Sequence, residues 1–230
     1  MSDHLTADGN QPETRPTIRF FTPFRAVLVA ITVIAAIYGF ATIPAGATLP
    51  THWNVRGVAD GWLPRDIALI LPVLLIAATW GVVALTRRFA SPEQLAAGRH
   101  VLSASISTVL MVFGALQVAV VLIGNGIAVD PVRVLCAVLA LSFMVIGNAL
   151  SKSRPNSYAG IRIPATLRSE ANWRATHRLG GVLQIAGAVV MLGAAVFVPT
   201  AQLLFWILGC TIIPMLVAVL YAVQRDMRSR

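Results

Sequence analysis

The chain has 230 residues, of which 57% are hydrophobic and 12% charged, and its mean hydropathy is +0.77. That is more apolar surface than a water-soluble domain can bury, so a bilayer is the natural solvent for it. The formal charge of +9, from 18 basic and 9 acidic residues, would raise nucleic-acid binding for a soluble protein, but here the positions of the charges relative to a membrane matter more, and no direct nucleic-acid contact is expected.

From the N-terminus, Met1 to Pro16 is polar and reads as a disordered part of a cytoplasmic tail ending near residue 25. Six stretches then approach the roughly 20 apolar residues needed to cross a hydrocarbon core of about 30 Å. They run Ala26 to Ile43, Ile67 to Leu85, Val101 to Ile123, Val134 to Leu150, Gly180 to Val198 and Leu203 to Val223. The predicted fold is therefore all-α, a polytopic membrane protein with six transmembrane helices. Residues 26–85 form a first helical hairpin with an extracytoplasmic loop at 44–66, 86–150 hold spans three and four, and 151–230 hold an inner loop with spans five and six. Ala45-Gly46-Ala47 resembles a signal-peptidase site, but the polar lead and the apolar run before it are longer than a signal peptide's regions, so the first stretch is read as a retained span.

The connections assign the orientation. Fifteen Lys and Arg residues fall on the side of the termini, including Arg15, Arg19, Arg25 and Arg230, against Arg56, Arg65 and Arg133 on the other. The positive-inside rule then places both termini in the cytoplasm. No span contains Asp, Glu, Lys, Arg or His. Ion-coupled carriers usually hold such a group within the membrane, so transport is a weak expectation. The intramembrane amides Gln117, Asn148 and Gln184 are expected to join helices by hydrogen bonds, and the small residues of the fifth span to allow close helix packing. Cys136 and Cys210 lie in apolar runs without a partner at redox or metal spacing and read as small buried hydrophobes.

Two polar loops carry information. In the first, Pro44 and Pro50 are expected to stop the first helix, Asn54 and the glycines to supply a fixed re-entrant turn, and Trp53 and Trp62 to anchor at the interface. That turn can be a spacer, or it can present His52, Trp53, Asn54, Arg56, Gly57 and Asp60 as an extracytoplasmic binding surface. A metal site is not expected, because His52 and Asp60 do not complete a coordination shell. The second loop, 151–179, has six basic residues and one acid, Glu170. Gly160 and its prolines indicate a shaped turn. Ser169 is expected to cap a short helix in which Glu170 faces Arg174 and Trp173 faces His177, an interfacial anchor that turns at Gly180-Gly181 into the fifth span.

Two blocks, LPTHWNVRGVADGW from Leu49 and NSYAGIRIPATLRSEANWRATHRLGG from Asn156, resemble the SdpI family of bacterial membrane proteins and the N-terminal domain of unknown function typical of it. The resemblance implies a six-span protein of the bacterial inner membrane that gives immunity to a secreted toxic peptide and, in the founding example, holds a transcriptional repressor at the membrane. It marks Asn156, Gly160, Ile161, Arg162, Pro164, Thr166, Trp173, His177 and Arg178 as docking or structural positions on the cytoplasmic side. The expected partners are membrane lipids, a toxin peptide and a cytoplasmic repressor. No enzyme activity and no cofactor are expected, since His52 and His177 fall on opposite sides of the membrane and no nucleophile with a base is evident. The alternative is a small-molecule or lipid-binding protein, or a transporter without intramembrane charges.

Overall fold

The structure is a computed structural model that describes residues 20–229; the polar lead, Arg15, Arg19 and Arg230 lie outside the described residues. The described residues form α1 (Pro23–Thr42), β1 (Thr48–Trp53), β2 (Ala59–Pro64), α2 (Arg65–Phe89), α3 (Pro92–Gly124), α4 (Pro131–Leu150), α5 (Pro164–Leu167), α6 (Glu170–Phe197) and α7 (Thr200–Arg228). Six of these helices are long and apolar enough to cross a membrane. Three of them start by one local device. The side chains of Thr22, Ser91 and Asp130 accept the backbone N–H of Arg25, Gln94 and Arg133, and Pro23, Pro92 and Pro131 follow them with φ already set for a helix.

Large aliphatic side chains such as Ile34, Leu74, Val182 and Leu220 point outward, where lipid would cover them, and small residues line the contacts between helices. A Cβ on Gly147 would come within 2.7 Å of the Gly181 carbonyl oxygen, and one on Gly187 within 2.7 Å of that of Cys210. Hence α4, α6 and α7 meet backbone to backbone, the close approach that small residues allow where no hydrophobic effect drives association. Gly193, by contrast, faces open space.

Four expectations are corrected. First, the loop between α1 and α2 is an antiparallel β-hairpin, so the described residues are helical with one small sheet. Thr42 ends the first helix and Pro50 lies within β1, so Pro50 is no helix stop. Second, α6 runs unbroken through Gly180-Gly181. Those glycines serve packing, with Ala218 and Gly147 as neighbours, and the helix from Ser169 is the start of the span. Third, ionisable groups do lie on the spanning helices, near their ends. Arg25 is in α1, 2% exposed, and donates to the carbonyls of Phe20 at 2.7 Å and Ser103 at 2.6 Å and to the hydroxyls of Ser103 and Ser107. It fastens α1 to α3.

Fourth, the amides do not join helices as expected. Asn148 is exposed, and the Gln117 side-chain N and O and the Gln184 Nε2 are buried without a hydrogen-bond partner among the described residues. An unpaired buried amide costs about 1–3 kcal/mol. Gln117→Leu is therefore expected to raise the unfolding temperature in detergent, and an unchanged or lowered value would show that the amide is paired.

Candidate functional site

The helices divide the polar groups between two ends of the bundle. At one end lies a knot built from residues 151–169 and the first two turns of α6. Asn156 shapes it: its Oδ1 accepts the N–H of Tyr158 and Ala159 while its Nδ2 donates to the carbonyls of Arg154 and Ala159. Gly160 has φ +116°, and a Cβ there would overlap the His177 ring. His177 is fully buried and stacks on Trp173 with ring centroids 4.0 Å apart. Its Nε2 accepts the Ile161 N–H at 2.9 Å, which requires that nitrogen to be unprotonated, and its Nδ1 donates to the Trp173 carbonyl at 2.8 Å. The ring is therefore neutral, with its proton on Nδ1. Thr166 donates to the Ile161 carbonyl and accepts the Ile163 N–H.

These bonds correct the reading of Trp173 and His177 as an interfacial anchor. Both are buried, and the Trp173 indole N–H donates to the Ser153 carbonyl at 3.1 Å. The Glu170–Arg174 pair does form at 2.9 Å, on the exposed face of the same helix. The knot is tied to the rest of the bundle by residues that drew no notice in the sequence. Asn172 donates to the carbonyls of Ala165 and Ala222, both at 2.9 Å, and accepts from Thr176. Gln94 accepts the Ser157 N–H, and Arg168 pairs with Asp226. Asn172 and Thr176 are four apart and lie one position before Trp173 and His177, a spacing that could have marked a second buried polar row. Arg162 and Arg178 are exposed and have no hydrogen-bond or ion-pair partner among the described residues, and Pro164 is also exposed. Of the nine positions, these three face outward, Gly160 is exposed at the surface of the knot, and the other five are buried in it.

At the other end, the hairpin turn is made by Asn54, whose Oδ1 accepts the N–H of Arg56 and Val58, and by Gly57 at φ +77°. Asn54 is thus occupied by the turn. His52 Nδ1 lies 2.6 Å from Asp60 Oδ1, joining the two strands on an exposed face. On the side toward the helices, Trp53, Arg56 and Gly57 line a cleft of about 440 Å³ whose far wall is the α3–α4 connection from Ile123 to Pro131, together with Thr200. That wall is braced. Arg133 donates to the Ala195 and Val198 carbonyls at the C-terminal end of α6, where a cation meets the negative end of the helix dipole, and it pairs with Asp130, to which Thr200 donates. The cleft therefore presents Arg56 and Asp130 over aliphatic and indole surface.

Residues 152–222 match the model of the SdpI/YfhL protein family, a segment comprising the knot, all of α6 and most of α7. No curated protein and no solved structure matches the chain.

Proposed function

We infer that this chain, which belongs to the SdpI/YfhL family through residues 152–222, is an integral membrane immunity and receptor protein that binds a toxic peptide at its hairpin end and a cytoplasmic repressor at its knot end. The observation that carries this reading is the cleft under the hairpin. It offers the Arg56 cation, and an Asp130 carboxylate already paired with Arg133, beside apolar wall, which suits a segment of an amphipathic peptide better than a small ion, and it sits at the end opposite the knot. Orientation follows the charge. Among the described residues twelve Lys and Arg lie at or near the knot end and three at the hairpin end, which supports cytoplasmic termini in a bacterial inner membrane and an outward-facing cleft. At the inner end Arg162 is the docking group. It projects from a turn fixed by Gly160, Ile161 and Thr166, and its planar fork suits a carboxylate of a protein partner.

The test is growth of sensitive bacteria that express the chain, exposed to the secreted peptides of its own source bacterium. Wild type is expected to protect. Arg56→Glu and the His52→Ala, Asp60→Ala pair are expected to lower the tolerated dose at least tenfold at unchanged membrane abundance. Arg162→Gln is expected to keep protection while losing a cytoplasmic repressor that co-purifies after peptide exposure. Absence of protection by the wild type would end the immunity reading, and full protection by both outer variants would move the peptide away from the hairpin.

A further inference from the structure

A second pair of cavities lies at the knot end, on the outer side of α6 and α7. One, of about 590 Å³, is lined by Ser151, Arg174, Arg178, Leu179, Val182 and Tyr221 among others. The other, of about 350 Å³, is lined by Tyr221, Gln224, Arg225, Arg228 and Ser229. Tyr221 borders both, so the two cavities adjoin, with Arg174 and Arg178 lining one and Arg225 and Arg228 the other. Glu170 pairs with Arg174, and the nearby Asp226 carboxylate is held by Arg168. Among the described residues Arg225 reaches only the Tyr221 hydroxyl, at 3.5 Å, and Arg178 and Arg228 have no partner.

The chemistry of the larger cavity changes along the helix axis. Arg174 and Arg178 lie one turn apart on α6, and the next turn on that face is Val182, 61% exposed and about 6 Å deeper toward the middle of the span. A soluble anion would use only the arginines. A soluble protein could not reach Val182 once the span is in a bilayer. A molecule with a phosphate at the level of the arginines and a hydrocarbon chain beside Leu179 and Val182 uses both.

We propose that these adjoining cavities are a binding site for an anionic phospholipid, its acyl chain lying along Leu179 and Val182 and its headgroup phosphate beside Arg178, with Arg174 next to it and Arg225 and Arg228 adding positive charge from across Tyr221. The site depends neither on the toxin nor on the repressor. It also gives Arg178 a role separate from Arg162, because the two groups serve different partners.

The full chain, purified and placed in phosphatidylcholine nanodiscs containing a minor fraction of phosphatidylglycerol, is expected to retain phosphatidylglycerol preferentially when released and weighed by native mass spectrometry. Each arginine near an anionic headgroup is worth a factor of about five in affinity, so Arg178→Gln with Arg228→Gln should weaken retention about twenty-five-fold. The Lys pair at the same positions keeps the charge and should retain lipid within about fivefold of wild type. Arg154→Gln, an exposed arginine outside both cavities, should change nothing. Glycerol phosphate without acyl chains should not displace the lipid. The proposal is overturned by wild type that shows no preference for phosphatidylglycerol, by an equal loss in Arg154→Gln, or by displacement with glycerol phosphate, which would show a plain anion site. The wild-type preference decides the matter even if the Gln pair fails to fold.

Discussion

Gly160→Ala is expected to lower membrane abundance several-fold and to reduce the unfolding temperature in detergent by far more than any change on the lipid-facing surface. A φ of +116° is one that a side-chain-bearing residue adopts only with strain, of order 1–3 kcal/mol. The new methyl group would also overlap the His177 ring and come within 3.1 Å of Trp173 Cζ2. Neither ring has room to move, since both are fully buried and stacked on each other. Shifting His177 takes Nε2 away from the Ile161 N–H and leaves a buried donor unpaired, which costs about 1–3 kcal/mol more. The total of several kcal/mol is a large part of the roughly 5–15 kcal/mol that holds a folded domain together. Gly193→Ala is the control, because a Cβ there meets nothing and alanine is the better helix former. Equal abundance and melting of the two variants would show that the turn does not hold the knot.

The same knot shows what a sequence can and cannot reveal. Four-residue spacing correctly pairs Glu170 with Arg174 and Trp173 with His177, because residues at that separation share a helix face. It does not say which face is buried. That depends on the loop from Ser153 to Thr166 folding back over α6, and on carbonyls of Ser153 and Ala222 that are distant in the chain. Hydropathy likewise finds each span but not its ends, since it senses the hydrocarbon slab whereas a helix continues until its caps. Thus α3 begins at Pro92, well before Val101, carries Arg99 and His100, and is capped by Ser91. The burial of Arg25 has no local signal either: besides the Phe20 carbonyl, its acceptors are the Ser103 carbonyl and the hydroxyls of Ser103 and Ser107 on α3, far away in the chain.

The hairpin is legible in part. Asn54 and Gly57 have the residue types of turn formers, and they form the turn. The strands carry no clear signal, because Pro50 resembles a helix stop and a sheet of two short strands is marginal without a surface to rest on. Leu49 supplies that rest: it is buried among Ile43, Leu69 and Val121 at the hairpin end of the helices. Gly61 has the residue type of a turn former but lies outside the turn, in β2. It faces His52 across the strands, where a Cβ would come within 2.9 Å of the His52 Cβ. The pairing of His52 with Asp60 thus depends on a position whose part in the hairpin is visible only once the register is known.

Replacing Gly57 with Ala is expected to abolish most peptide protection while leaving membrane abundance near that of the wild type. Gly57 sits at φ +77°, and a Cβ would come within 2.5 Å of Thr200 Cγ2. Thr200 cannot simply rotate away, because its hydroxyl donates to Asp130 and accepts from Arg133, which in turn caps the C-terminal end of α6. The hairpin, with fewer ties, is the part that yields. It should lift from the α6–α7 connection and open the cleft that Trp53 and Arg56 line, while the membrane-spanning helices stay as they are. The tolerated dose of the peptide is expected to fall tenfold or more. Gly46→Ala, in the same loop with nothing near its Cβ, should be neutral. Thr200→Ser offers a rescue, since it removes the clashing methyl and keeps the hydroxyl, so the Gly57→Ala, Thr200→Ser pair should regain much of the protection, a coupling that independent sites would not show. Full protection by Gly57→Ala alone would mean that the peptide does not bind under the hairpin, and loss of abundance as deep as that of Gly160→Ala would make the hairpin a structural cover for the bundle.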